Sequence, residues 1–127
     1  MLRHIGIHIY EEEEIKHFYK NILGFEVVKT YPFYTEAAEK LFSTKEPVQV
    51  YRLQRFEVKL EVFVCPKPFT PGLAHIALEY WEAHKLIDKA KTAGYAVVEF
   101  EKRPGKKGYF LKDKAGNIFE IKQINFV

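Results

Sequence analysis

The sequence has 127 residues, 47% of them hydrophobic and 29% charged, which is the size and composition of one compact domain with a hydrophobic core. The formal net charge of +3 is too small to indicate nucleic-acid binding, and acids and bases alternate along most of the chain. No apolar run reaches the roughly 20 residues of a membrane-spanning helix, and the first residues are typical of a strand rather than a signal peptide. The single cysteine, Cys65, excludes an internal disulfide, so we expect a cytoplasmic protein.

A strand is predicted over Arg3–Ile9, where isoleucines alternate with His4, Gly6 and His8. One face of this strand is therefore aliphatic, and the other carries two imidazoles. The remaining elements of the first half are predicted as helix, strand, short helix and two strands: Ile15–Leu23, Phe25–Tyr31, Tyr34–Phe42, Val48–Leu53 and Glu57–Val64. We expect Thr35 to cap the short helix and a turn near Gln54 to join the last two strands.

Prolines and a glycine then interrupt the pattern, which predicts a linker over residues 66–72. The second half predicts strand, helix, strand, strand and strand: His75–Tyr80, Glu82–Ala93, Tyr95–Phe100, Tyr109–Lys112 and Ile118–Ile124. Between the third and fourth of these, the basic segment Arg103–Gly108 is expected to be a mobile loop. Gly24 and Gly94 are placed to end the two long helices.

The two halves have the same order of elements, which indicates an internal repeat. His4 and His75 are separated by nearly the same interval as Gly24 and Gly94, whereas Glu61 and Glu120 lie closer together. The difference is about the length of the Tyr34–Phe42 helix, so the first half carries one insertion. Neither half has enough core to be stable alone, and we expect two βαβββ modules packed as one α+β domain.

Metal-binding residue types recur on the non-aliphatic faces of the predicted strands. They are His4, His8, Glu61, His75, Glu79 and Glu120. Polar faces of antiparallel sheets are commonly just solvated, and strand by strand that interpretation would be preferred. Two histidines and two glutamates at equivalent places in two repeats favour a metal site instead, and this ligand set suits Zn²⁺, Ni²⁺, Co²⁺ or Fe²⁺ better than Ca²⁺ or Mg²⁺.

Five segments resemble the vicinal oxygen chelate superfamily, which includes glyoxalase I, methylmalonyl-CoA epimerase, extradiol dioxygenases and fosfomycin-resistance enzymes. The segments are His4–Ile7, Phe18–Phe25, Leu60–Phe63, Gly72–Leu78 and Asp113–Glu120. The resemblance covers nearly the whole chain. It implies a single domain with a glyoxalase-like fold, in which module 1 (residues 1–65) and module 2 (residues 73–127) form a curled mixed sheet.

The resemblance also implies the site. His4, Glu61, His75 and Glu120 match the four metal-ligand positions of the family, and this His/Glu/His/Glu set is most similar to glyoxalase I. The implied cofactor is one divalent ion, either Zn, Ni or Co, with Fe or Mn as alternatives. It would hold two oxygens of a hemithioacetal, while Glu120 or Glu61 moves a proton between adjacent carbons. Family precedent favours Glu120 as this base, and it suggests a homodimer.

Several features leave alternatives open. Glyoxalase I has an arginine aimed at glutathione where this chain has His8, so His8 is a candidate substrate contact of another kind. Arg103, Lys106 and Lys107 are candidates for holding an anionic part of the substrate, although isolated basic loops are commonly just solvated. The substrate is expected to be a thiol adduct or an acyl thioester. Epimerisation of an acyl-CoA and non-catalytic binding of a small molecule are the alternative functions.

Overall fold

The computed structural model describes residues 2–65 and 75–125, apart from the side chain of Lys102. Contacts between residues divide the chain into two compact units, Met1–Pro71 and Gly72–Val127, each described by itself below. The predicted linker at residues 66–72 lies outside the described residues. None of the described helices is long and apolar enough to span a membrane.

The first unit contains a four-stranded mixed sheet with the strand order β1-β4-β3-β2. Its strands are β1 (Ile5–Ile9), β2 (Glu26–Pro32), β3 (Gln49–Arg55) and β4 (Val58–Val64). A short π-helical segment, Ile15–Lys20, follows β1, and α1 (Thr35–Phe42) lies between β2 and β3. β1 pairs with β4 in parallel, and the other pairs are antiparallel.

The second unit repeats this plan without the inserted helix. Its strands are β5 (Ile76–Tyr80), β6 (Val97–Arg103), β7 (Lys106–Lys112) and β8 (Ile118–Gln123), in the order β5-β8-β7-β6. The helix α2 (Ala83–Thr92) packs against β6, β7 and β8. β5 pairs with β8 in parallel, as β1 does with β4. The prediction of an α+β fold with two βαβββ modules is confirmed, and so is the insertion in the first half.

The aliphatic faces of the strands form the core, as their alternation predicts. Leu60 and Phe119, which directly precede Glu61 and Glu120, are completely buried. Gly24 and Gly94 follow the helices with φ angles of 79° and 88°, a left-handed conformation that glycine adopts without a steric penalty. Because alternate residues of a strand point to opposite faces, burial of the aliphatic set places both glutamates on the other face of their sheets.

Three local predictions are wrong. The segment Arg103–Gly108 is not a loop, because β6 and β7 run up to a two-residue turn at Pro104 and Gly105. The helix α1 begins at Thr35, so Tyr34 occupies the N-cap position and makes no capping hydrogen bond through its side chain. The turn between β3 and β4 lies at Phe56 and Glu57, two residues later than expected.

Candidate metal centre

In the first unit, β4 brings Glu61 next to His4, which lies just before β1. Glu61 pairs in register with Gly6 on β1, and its carboxylate is buried with only 8% of the side chain exposed. His4 Nε2 lies 2.7 Å from Glu61 Oε2, while 43% of the histidine side chain remains exposed. The pair thus consists of a partly exposed imidazole in contact with a buried carboxylate.

Two further side chains hold Glu61, and the sequence alone did not reveal either. The hydroxyl of Tyr31 donates a hydrogen bond of 2.8 Å to Glu61 Oε1, and Arg52 Nη2 lies 3.6 Å from Oε2. The Arg52 guanidinium also lies 5.9 Å from the centre of the Tyr31 ring. Burial, the hydrogen bond to Glu61 and the charge of that carboxylate raise the pKa of Tyr31, so its hydroxyl remains protonated and a donor at neutral pH.

In the second unit, β8 brings Glu120 next to His75, which lies just before β5. His75 Nε2 is 3.3 Å from Glu120 Oε1, and Lys122 Nζ is 3.7 Å from Oε2. The side chains of His75 and Glu120 are 40% and 15% exposed, so this pair is slightly more open than the first. The repeat has therefore produced the same two-residue arrangement twice.

The surroundings of the second pair are aromatic. Phe110 is the residue on β7 that faces Glu120, and its ring stands edge-on to His75 with centroids 5.4 Å apart. Phe100 stacks on Phe110 at 5.3 Å with an angle of 19° between the ring planes. A pocket of about 290 Å³ opens beside His75, with Phe110 in its wall.

His8 lies on the same face of the first sheet as Glu61, as its position in β1 predicts, but among aromatic rings. Its ring meets Phe42 of α1 edge-on at 4.7 Å and lies 5.9 Å from Phe63. Burial lowers the pKa of His8 below its ordinary value of 6.5. The inserted helix thus completes an aromatic cluster around a neutral imidazole.

The three basic candidates lie together at the β6–β7 hairpin. Arg103 and Lys106 face each other across the turn, and Lys107 pairs in register with Glu101. Lys107 Nζ is 4.0 Å from a carboxylate oxygen of Glu99, a distance at which an exposed ion pair contributes little. Their assignment as substrate contacts stays a prediction.

The donor atoms of both pairs fit a divalent transition metal. Two ligands about 2.0–2.1 Å from one tetrahedral zinc ion stand roughly 3.3 Å apart, which matches the spacing in the second pair. The first pair, at 2.7 Å, is at hydrogen-bond distance and would have to open to admit an ion. The described residues contain no group of three or more His, Cys, Asp or Glu side chains placed to hold a metal ion. Each unit thus presents one imidazole and one carboxylate at equivalent positions.

The chain belongs to the Glyoxalase/Bleomycin resistance protein/Dioxygenase superfamily, whose family model matches residues 2–121. The resemblance seen in the sequence is thereby confirmed at the level of the superfamily. No curated protein matches the chain significantly.

Solved structures show the same fold. The glyoxalase family protein from Enterococcus faecalis is 23% identical, with a TM-score of 0.70 and 95% of each chain covered. The fosfomycin resistance protein FosX from Listeria monocytogenes is 17% identical with a TM-score of 0.72, covering 96% of this chain and 91% of its own. A mutant of FosX complexed with Mn(II) and 1S,2S-dihydroxypropylphosphonic acid is 16% identical with a TM-score of 0.73, covering 96% and 90%.

Proposed function

We propose that this chain is a metal-dependent enzyme of glyoxalase I type. Its substrate is the hemithioacetal that forms between an α-ketoaldehyde and a thiol, and its product is the thioester of a 2-hydroxy acid. His4, Glu61, His75 and Glu120 hold one divalent ion: Zn, Ni or Co, or alternatively Fe or Mn. The Mn(II) in the FosX structure supports including manganese in the trials. We expect the enzyme to work in the cytoplasm as a homodimer.

The observation that supports this proposal is the difference between two carboxylates in otherwise matching pairs. Glu61 accepts a hydrogen bond from Tyr31 and lies near the charge of Arg52, so its oxygens are held in place. The residue that faces Glu120 at the position equivalent to Arg52 is Phe110, and the cation near Glu120 is instead the exposed Lys122, whose Nζ lies 3.7 Å from Oε2. A base must accept a proton and release it again, and Glu120 is therefore better suited to this role than Glu61.

The reaction needs no oxidant or co-reactant. Glu120 removes the proton from the carbon that carries sulfur, and the electron pair of that C–H bond forms a carbon–carbon double bond as the neighbouring carbonyl becomes an enolate oxygen. Glu120 then returns the proton to the adjacent carbon. The hydroxyl on the sulfur-bearing carbon gives up its proton and becomes the thioester carbonyl, and the former enolate oxygen takes up a proton and becomes the 2-hydroxyl of the product. When bound, the metal supplies Lewis-acid stabilisation of the charge on two neighbouring oxygens.

The test begins with metal analysis. We expect the purified protein to bind one divalent ion per His/Glu/His/Glu set after chelation and reloading with Zn, Ni, Co or Mn. The loaded protein should convert methylglyoxal and glutathione, or another thiol, to the thioester, measured by its ultraviolet absorbance.

The outcomes separate the function classes. Protein that binds no metal would be a non-catalytic member of the superfamily. Protein that binds metal but converts no hemithioacetal would contradict the glyoxalase assignment, and epimerisation of an acyl-CoA would then be assayed by exchange of its α-proton with deuterium.

A further inference from the structure

The pocket beside His75 is mainly apolar, and this indicates which kind of substrate group it could bind. It has a volume of about 290 Å³ and is lined by His75, Val98, Phe110, Lys112 and Ile118. The strand register places these residues on one face, because Val98 and Glu120 both pair with Phe110, and Lys112 pairs with Ile118. The pocket therefore opens on the same side of the sheet as the carboxylate of Glu120.

The walls of this pocket are apolar and held in place. Phe110 is fixed between Phe100, on which it stacks, and His75, which it meets edge-on. Val98 is 47% exposed, which is unusual for a valine in a strand and leaves apolar surface uncovered. Lys112 is exposed and contributes its alkyl chain, since a lysine that lines an apolar surface keeps its ammonium group in water.

We propose that this pocket binds an uncharged apolar substituent of the substrate, either a branched alkyl group or a phenyl group. A cavity of about 150 Å³ lined by aliphatic and aromatic side chains is large enough for benzene, so this pocket has room for such a group. Covering Val98 and Phe110 with it removes apolar surface from water, which is favourable, whereas a charged group would lose hydration against walls that expose little polar surface.

The inference rests on the proposed function, because His75 belongs to both the pocket and the pair with Glu120. His75 lines the pocket and its Nε2 lies 3.3 Å from Glu120 Oε1, so we infer that a substituent in the pocket is attached at or next to the reacting carbon. The pocket would then select among α-ketoaldehydes by the group that they carry, and bulky aldehydes would be preferred over methylglyoxal.

The kinetic test compares hemithioacetals of phenylglyoxal and methylglyoxal made with the same thiol. We expect kcat/KM to be higher for the phenyl compound by about 10-fold or more, the range in which apolar pockets discriminate. Val98→Asp should abolish this preference. The control is Val27→Asp, because Val27 has a similar exposure of 44% but lies on β2 in the other unit and is not among the residues that line the pocket beside His75. Equal kcat/KM values in the wild type would overturn the inference and leave the proposed function standing.

A second measurement does not require catalysis. Benzyl alcohol is titrated into metal-free wild-type protein, and the methyl NMR signals of Val98 and Ile118 are followed alongside those of Val27. Shifts confined to the two pocket residues would support the pocket even if no hemithioacetal were turned over. Absence of these shifts in an inactive protein would overturn the proposal that the pocket binds an apolar group. A change of oligomeric state in Val98→Asp but not in Val27→Asp would also overturn the proposal, since the apolar surface around Val98 would then be a protein interface.

Discussion

The two histidine–glutamate pairs have the same backbone positions and different surroundings. In the first unit, Tyr31 and Arg52 supply a hydrogen bond and a charge to Glu61, whereas in the second unit Phe110 takes the place of the arginine. Two residues further along each pair of parallel strands, the apolar surroundings lie in the first unit and the charged ones in the second. The first sheet has His8 beside Phe63, in an aromatic cluster, and the second has the charged pair Glu79 and Lys122.

This contrast shows how a repeat can divide the work of a site. Duplication supplies two equal histidine–glutamate pairs, because the parallel strands that carry each pair have the same register in both units. The residues on the neighbouring antiparallel strands are then free to differ. In our proposal, one carboxylate is held by Tyr31 and Arg52 as a structural ligand, and the other, which faces Phe110 and lies near the exposed Lys122, is the base.

The largest effect should come from replacing the two glutamates separately. Glu120→Gln keeps the shape of the side chain but removes the base, so we expect kcat to fall by about 10²–10⁴-fold at saturating metal. Glu61→Gln should chiefly weaken metal binding, with a smaller loss of kcat per bound ion. Metal content and turnover are measured on the same samples. An equal loss of kcat in the two variants would show that the two carboxylates do not differ in function.

A smaller effect is expected from the residue that orients Glu61. Tyr31→Phe removes the hydrogen bond to Oε1 and leaves the aromatic ring, so metal affinity should fall about 10–100-fold, as for other residues that hold a metal ligand. Affinity is measured by competition with a chromophoric chelator.

Tyr51→Phe is the matched control for this experiment. Tyr51 also donates a hydrogen bond to a carboxylate, that of Glu12, but it points to the other face of the first sheet from Glu61. A loss of metal affinity as large in Tyr51→Phe as in Tyr31→Phe would mean that the effect arises from general destabilisation.

The resemblance to the superfamily implied that His4, Glu61, His75 and Glu120 are metal ligands. The sequence itself predicted the strands of both sheets and the polar faces on which these residues lie, because alternation of residue types reports which side chains share a face. It did not predict Tyr31 or Arg52 as partners of Glu61, because these contacts depend on register. A turn at Gln54 and Arg55 would pair Glu61 with Val48, whereas the turn at Phe56 pairs it with Arg52.

That turn was misplaced for a physical reason. Phe56 adopts a left-handed conformation with a φ angle of 51°, which is uncommon for a bulky residue and carries no sequence signal of the kind that glycine or asparagine gives. The pairing of β2 with β3 was also beyond prediction, because the inserted helix separates them. The basic hairpin was missed for the opposite reason: Pro104 and Gly105 are a turn signal, but the charged residues around them indicated a loop.

The smallest effect concerns the aromatic side of the first unit and depends on pH. Burial lowers the pKa of His8 in the folded protein, so the unfolded chain binds more protons at acidic pH. The free energy of unfolding should therefore decrease as the pH falls through 6.5, the value for an exposed histidine, and His8→Phe should make this decrease shallower. Urea unfolding at several pH values measures the slope of the unfolding free energy against pH, with the variant His84→Gln, at an exposed histidine, as the control.

A slope that is unchanged in His8→Phe would show that the imidazole is hydrated or protonated within the cluster. The surroundings of His8 would then be polar, like those of Glu79 and Lys122, and the two units would not differ at this position.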